Sequence, residues 1–415
     1  MSEVQRVPVC HIQHDFEVSI SEEGENGRFY INVDKSLNEV KEFTVAVSEE
    51  GTKFDISDGN GFQRVDRHLY SARLDGNEYR FRTMDEDYTG AAAPDEDIEW
   101  TAIDAINVPK LRYALGDSKG NCRVYGGTLQ LERELKEAHR GEISSLKFFP
   151  SGEVVLSGSA DMQLKLWSVL DGSCPRTFAG HRSAVSATCL IDRGRNFLSS
   201  STDGTIRLWE CGSGETLSVF SRREDSSDGV NCMCLRATCR GEASDMGENP
   251  LEFGTYGKHV LAGHSSGVMT LHDVFTKEQS SQIPSHFMSS CNTLTSDPKR
   301  DEYVYAGYQN GALAQWDLRN FSSPVSSVYI NEGTPINHIY CESNELYVSS
   351  GLDTSLMLDL TADKGFIRSD LPTFLVSNDC KVAQYTSTPD RKHIIAVGDW
   401  GFCGKYGIHW RQTER

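Results

Sequence analysis

Long apolar runs are missing from this sequence. Stretches such as the one ending at Val33 are cut at once by Asp34 and Lys35, far short of the roughly 18 residues that a spanning helix needs. No membrane insertion is expected. The opening MSEVQRVPVCHIQHDFE lacks the apolar core of about 7–15 residues that marks a secretory signal. The expected location is therefore the cytoplasm and nucleus, with the 12 Cys as thiols. Those cysteines also lack zinc spacing, since Cys232, Cys234 and Cys239 have no second matching pair, and Cys10, His11 and His14 have no obvious fourth ligand. No G-x-x-x-x-G-K phosphate loop occurs. Neither a metal nor a cofactor is expected. Positive charge is scarce too: 41 Lys+Arg face 60 Asp+Glu, and a net charge of −19 repels a phosphate backbone. Nucleic acid is an unsuitable main partner. The deficit is uneven, because residues 1–98 hold 22 acids and only 10 Lys/Arg, which sets the first quarter apart from the rest.

What is present is repetition. Ser157 to Trp167 (SGSADMQLKLW) recurs as Ser199 to Trp209 (SSSTDGTIRLW) at an offset of 42, and the same shift carries His139 onto His181. A looser template places turn pairs at Lys119-Gly120, Asp161-Met162, Asp203-Gly204, Ser266-Gly267, Asn310-Gly311, Asp353-Thr354 and Trp400-Gly401. The aromatic or replacement closing the third strand then falls at Tyr125, Trp167, Trp209, His272, Trp316, Asp359 and Tyr406. One step is longer than the others and accommodates a polar insertion from Cys239 to Pro250.

A period of this length, with an Asp-Gly turn and a Trp five residues after the Gly, resembles the WD-repeat family, whose unit is a four-stranded propeller blade. The expected fold is all-β: a small β-rich N-terminal domain over residues 1–98, then a seven-bladed WD-repeat β-propeller over 99–415. In the first region Phe29–Val33 and Phe43–Val47 alternate as strands, and His68–Leu74 and Tyr79–Met84 flank Asp75-Gly76 as a hairpin. The acidic run Asp85–Asp97 is read as the linker into a first blade that starts at Trp100. The outer strand of the last blade has two candidate sources, Ile408–Gln412 or the N-terminal region.

Within blades two and three, a buried turn Asp needs donors. His139, Ser157 or Ser159, Asp161 and Trp167 form one candidate network, and His181, Ser199 or Ser201, Asp203 and Trp209 form the other; these residues and Trp316 are read as scaffold rather than as a Ser-His-Asp catalytic triad. Gly263-His264-Ser265-Ser266-Gly267 matches a hydrolase nucleophile elbow, but the repeat register makes it a strand-to-strand turn. Asn320-Phe321-Ser322 is a formal glycosylation acceptor, expected to stay unmodified inside the cell.

Recognition of another protein is left as the function. In a four-stranded blade the lead-in to strand one and the turn between strands two and three lie at the same end, so both converge on one face of the ring. Acids there include Glu142, Asp228, Glu332, Asp379 and Asp399, interleaved with Arg140, Arg182, Arg222, Arg223 and Lys381. Asn231, Asn292 and Asn337 follow the strand starts of three successive blades and are expected at the channel mouth. The acid excess suits a basic partner.

Longer segments carry a closer likeness. Phe148 to Thr177, Ile191 to Thr216, LEFGTYGK, NEGTPIN and PTFLVSND resemble the proteasomal ATPase-associated factor family of WD-repeat chaperones. That resemblance implies a non-catalytic, monomeric chaperone that binds the C-terminal domain of one proteasomal ATPase subunit during assembly of the regulatory particle base. The alternative is a generic WD adaptor for a phosphorylated or ubiquitin-bearing client, which would need clustered Arg at the channel mouth.

Overall fold

The first six sequence periods each fold as four consecutive antiparallel strands and the seventh as three, because a lone blade leaves its strand faces half covered and a ring of blades buries them against neighbours. The computed structural model describes residues 5–21, 27–36, 39–48, 51–57, 59–92, 97–135, 137–237, 249–361 and 364–408. Residues 238–248, most of the insertion and including Cys239, lie outside the described residues, as does the end of the chain from 409. The innermost strands are Trp100–Asn107, Ile143–Phe148, Val185–Ile191, Val230–Ala237, Cys291–Ser296, Ile336–Glu342 and Val382–Ser387. Each packs beside the next, and the seventh beside the first, which closes a seven-bladed WD-repeat propeller.

Turn chemistry sets the blade hairpins. Gly204 sits at φ 85°, where an added Cβ would meet the Ser226 carbonyl oxygen at 2.4 Å, so only glycine fits there. At blade six the sequence register slips by one. Leu346 pairs with Leu358, as Val155 pairs with Trp167 in blade two, so Leu358 and not Asp359 closes the third strand. The turns after Ser159 and Ser350 are equally long, so Leu352-Asp353, and not Asp353-Thr354, holds the place of Asp161-Met162. Side chains alternate across a strand, so the shift exchanges an acid for a leucine with 0% exposure.

In every blade, strands one and two shift register by one residue beside the channel, at Thr101, Ser144, Ser186, Asn231, Asn292, Asn337 and Ala383. These seven bulged residues line a central cavity of about 640 Å³. Their side chains stitch the ring. Thr101 donates to the Ile143 carbonyl at 2.6 Å, Ser144 to Val185 at 2.6 Å, and Ser186 to Val230 at 2.8 Å. Asn231 and Asn292 continue the series to the Cys291 and Ile336 carbonyls. The pattern changes at the last seams: Ser349 supplies the donor to Val382, and Ala383 has none to offer. There Gln384 bridges blades seven and one by accepting the Ile103 N–H at 2.8 Å.

The N-terminal region supplies edges. Val9–Ile12, Arg28–Ser36, Glu39–Ser48 and Lys53–Ile56 form one sheet, on which the short helix Phe16–Ser21 sets Phe16 against Phe29, Phe62 and Tyr70. Gln5–Arg6 pairs in parallel with the outer strand of blade five, and Asn77–Arg82 in parallel with the outer strand of blade six. Glu86–Asp87 pairs antiparallel with Cys403–Gly407 and is the fourth strand of blade seven. The run read as a linker is thus the ring's closing strand. Backbone N–H groups of Asp85 and Tyr88 donate to Lys405 and Cys403, each at 2.8 Å, and hold it there. The apolar core of the N-terminal sheets is continuous with that of blades five and six, through Phe81 on Phe374 and through Val328 and Ile336.

Candidate protein-binding face

Two blades carry complete polar relays beneath the loop face. In blade two the Trp167 indole N–H donates to Ser157 Oγ at 3.0 Å, Ser157 meets His139 Nε2 at 2.6 Å, and His139 Nδ1 meets Asp161 at 3.0 Å. Blade three repeats it with Trp209 to Ser199 at 2.8 Å, Ser199 to His181 at 2.7 Å and His181 to Asp203 at 3.0 Å. The direction of the chain assigns a neutral imidazole with its proton on Nδ1. Of the two serine candidates per blade, Ser157 and Ser199 are the relays. Ser159 and Ser201 instead tie the turn, each accepting the N–H of the turn Asp and donating to a lead-in carbonyl.

Ionisation follows this wiring. Burial, the largest influence, lowers the pKa of His139 and of His181, with the neighbouring carboxylate opposing it. Burial pushes Asp203 up, but donors from Thr205, Arg182 and His181 outweigh it and hold the carboxyl at about 2. Asp161 is likewise lowered, its donors from Arg140, Gln163 and His139 overcoming the effect of burial.

Blade four exchanges the partners. Asp228 on the lead-in accepts from Ser266 Oγ at 2.6 Å and from Arg222 at 2.7 Å, while its carbonyl meets His264 Nδ1 at 3.0 Å. His264 and His272 both reach Thr270 Oγ1. The G-x-S-x-G segment is the turn between Lys258–His264 and Met269–Asp273, where Ser265 donates to the Gly229 carbonyl and to Asn231. In blade five Trp316 donates to the Tyr308 hydroxyl at 3.1 Å.

The five acids assigned to the face occupy unlike settings. Asp228 is 8% exposed and committed to the blade-four network, so it braces a turn rather than projecting from the rim. Glu332 pairs with Arg6, and Asp379 with His14 at 2.9 Å, both bases arriving from the N-terminal region. His11 stands 3.8 Å from Asp353 in the same way. Glu142 and Asp399 instead gather with Glu99 about Lys381. Burial raises the pKa of both, Lys381 opposes that, and the like charge of Glu99 adds to it. Sequence reading missed Glu99, and it missed that Trp400, next to Asp399 and on a turn tied to the Ile98 carbonyl, stands 70% exposed. An aromatic at a solvent-facing turn position was the available signal. Among the described residues no cluster of three His, Cys, Asp or Glu could hold a metal ion, and no helix is long and apolar enough to cross a membrane.

A ring of seven blades with a loop face of paired and unpaired acids defines a WD-repeat propeller protein. The WD domain, G-beta repeat, matches residues 130–168 and 172–210, the two blades with complete relays. A chain of the solved mitotic checkpoint complex shares the fold, with a TM-score of 0.60 at 15% identity over 83% of this chain and 94% of that one. Eukaryotic translation initiation factor 3 subunit I of Emericella nidulans is 24% identical over 51% of this chain and 60% of its own length. The 26S proteasome regulatory subunit RPN14 of Saccharomyces cerevisiae is 48% identical over 97% of this chain and 98% of its own. The chain belongs to that WD-repeat family of proteasome regulatory subunits.

Proposed function

We propose that this protein is a non-catalytic assembly chaperone for the base of the proteasome regulatory particle, holding the C-terminal domain of one proteasomal ATPase subunit against its acidic loop face. The observation that carries the reading is end-to-end identity of 48% with a protein named as a proteasome regulatory subunit. The acids Glu99, Glu142 and Asp399, which outnumber Lys381 among them, support it, because a basic domain surface is drawn to them and steered onto the face. The chaperone acts as a monomer in the cytoplasm and nucleus, without metal or cofactor, and blocks premature docking by occupying the domain surface. The adaptor alternative gains little, since Arg222 at the mouth is already bound to Asp228 and Glu224. Calorimetric titration of the purified chain with each proteasomal ATPase C-terminal domain tests the proposal. Saturable one-to-one binding of one domain is expected, and silence across the whole set would remove the reading.

A further inference from the structure

The loop face divides by what its acids meet. Across blades five to seven, bases from the N-terminal region already meet the acids, as Arg6 meets Glu332 and His14 meets Asp379. Across blades seven, one and two, Glu99, Glu142 and Asp399 share the field of Lys381. None of these three has a Lys, Arg or His nitrogen within 4 Å among the described residues. This sector keeps a net negative charge. Trp400 rises from it.

Trp400 occupies the turn position that Asp161 and Asp203 hold in the relay blades, but it makes no relay. Its backbone is pinned instead. The Asp399 N–H donates to the Lys381 carbonyl at 3.1 Å, and the Gly401 N–H to Ile98 at 2.5 Å, so the indole is presented on a fixed turn at φ 54°. Trp100, Trp209 and Trp316, by contrast, are at most 1% exposed. An indole left in water on a rigid turn has its ordering cost met before binding, which is the property of an interface anchor. Carboxylates around it select what it anchors, since an apolar side chain would desolvate those acids without return, whereas a cation satisfies them and lies over the ring.

We infer that Trp400 is a cation-binding anchor: its indole face takes an arginine or lysine side chain of the partner domain, while Glu99, Glu142 and Asp399 supply the opposing charge. The partner's identity rests on the proposed function; the anchor chemistry does not. The juxtaposition of an exposed tryptophan with three acids also sets the place of docking, over blades seven, one and two and away from the acids that Arg6, His11 and His14 already meet.

Binding of the ATPase domain that wild type captures is measured for Trp400→Ala, Trp400→Leu and Trp400→Phe. Trp400 is exposed, so unchanged circular dichroism and melting temperature are expected for all three. Alanine and leucine should weaken binding by about 2- to 30-fold, with phenylalanine weakening it less than leucine. Leucine binding like wild type would make the contact merely apolar and overturn the inference. Three variants all binding like wild type would overturn it too, while leaving the chaperone reading intact. Should no ATPase domain bind even wild type, that reading fails and the anchor is judged alone. Acetyl-Arg-Gly-Arg-Gly-Arg-amide should then shield the Trp400 component of fluorescence, assigned by difference from Trp400→Phe, against acrylamide, and an acidic peptide should not. Equal quenching with and without the arginine peptide would overturn the anchor.

Discussion

Blades two and three differ from blades five to seven in where they find their support. The former are self-contained: each closes a Trp-Ser-His-Asp relay within itself, and its fourth strand follows directly in sequence. The latter lack that relay and have their outer edges covered by Gln5–Arg6, Asn77–Arg82 and Glu86–Asp87. The difference teaches that a repeat can lose its internal polar scaffold where a neighbouring part of the same chain covers its edge and extends its core. A blade is stabilised either from inside or from outside.

The largest effect that would break this comparison comes from the shared core. Phe374→Ala removes the ring that Tyr79 and Phe81 pack against, and should lower unfolding free energy by about 3–5 kcal/mol in urea denaturation. Hydrogen exchange should place the loss in both the N-terminal sheets and blade six; a loss confined to blade six would show that the two do not share a core. Ser199→Ala strands the Trp209 indole and the His181 ring, and is expected to cost about 1–3 kcal/mol, read in the same assay and localised to blade three.

Acidification sharpens the contrast. His139 and His181 are held neutral below the unfolded value of about 6.5, so the unfolded chain takes up their protons first and stability falls as pH drops from there toward their lowered folded values. Asp203, held at about 2, contributes stability present above about 3.9 that is lost as pH falls through its folded value. Denaturation midpoints at pH 7 and pH 5 should therefore differ less in His181→Gln than in wild type. Smaller still is the rim. Glu142→Lys should slow association with the ATPase domain and flatten its salt dependence, with little change in melting temperature, checked by stopped-flow mixing at two ionic strengths. The exposed Lys405–Glu86 pair on the closing strand should matter least, with Glu86→Gln shifting stability by about 0–1 kcal/mol in thermal denaturation.

The propeller was legible because His, Asp and Trp recur together in blades two and three, and phase carried the reading outward from them. Phase is also where it slipped, since Asp353 stands one residue beyond the place that Asp161 holds, which leaves Leu358 where Asp359 was expected. The hairpin about Asp75-Gly76 was legible from alternation and is present as Leu69–Leu74 and Asn77–Arg82. The closing strand was not, because two acidic residues carry no alternation and look like a connector. At the face, the acids could be counted from the sequence but their partners could not. His14 and Asp379 are 365 positions apart, and nothing local announces that one lies against the other. Asp228 misled for a related reason: a lead-in acid is exposed by default, and only the exchange of roles with His264 turns it inward.

Closure by Glu86–Asp87 on Cys403–Gly407 makes the two ends of translation wait for each other. At ribosomal speeds of roughly 5–20 residues per second, the early segment emerges tens of seconds before the strand it must join. Throughout that interval the nascent polypeptide holds an unsealed arc with bare strand edges at both ends, the stage most open to wrong pairing and most in need of protection by the folding machinery of the cell.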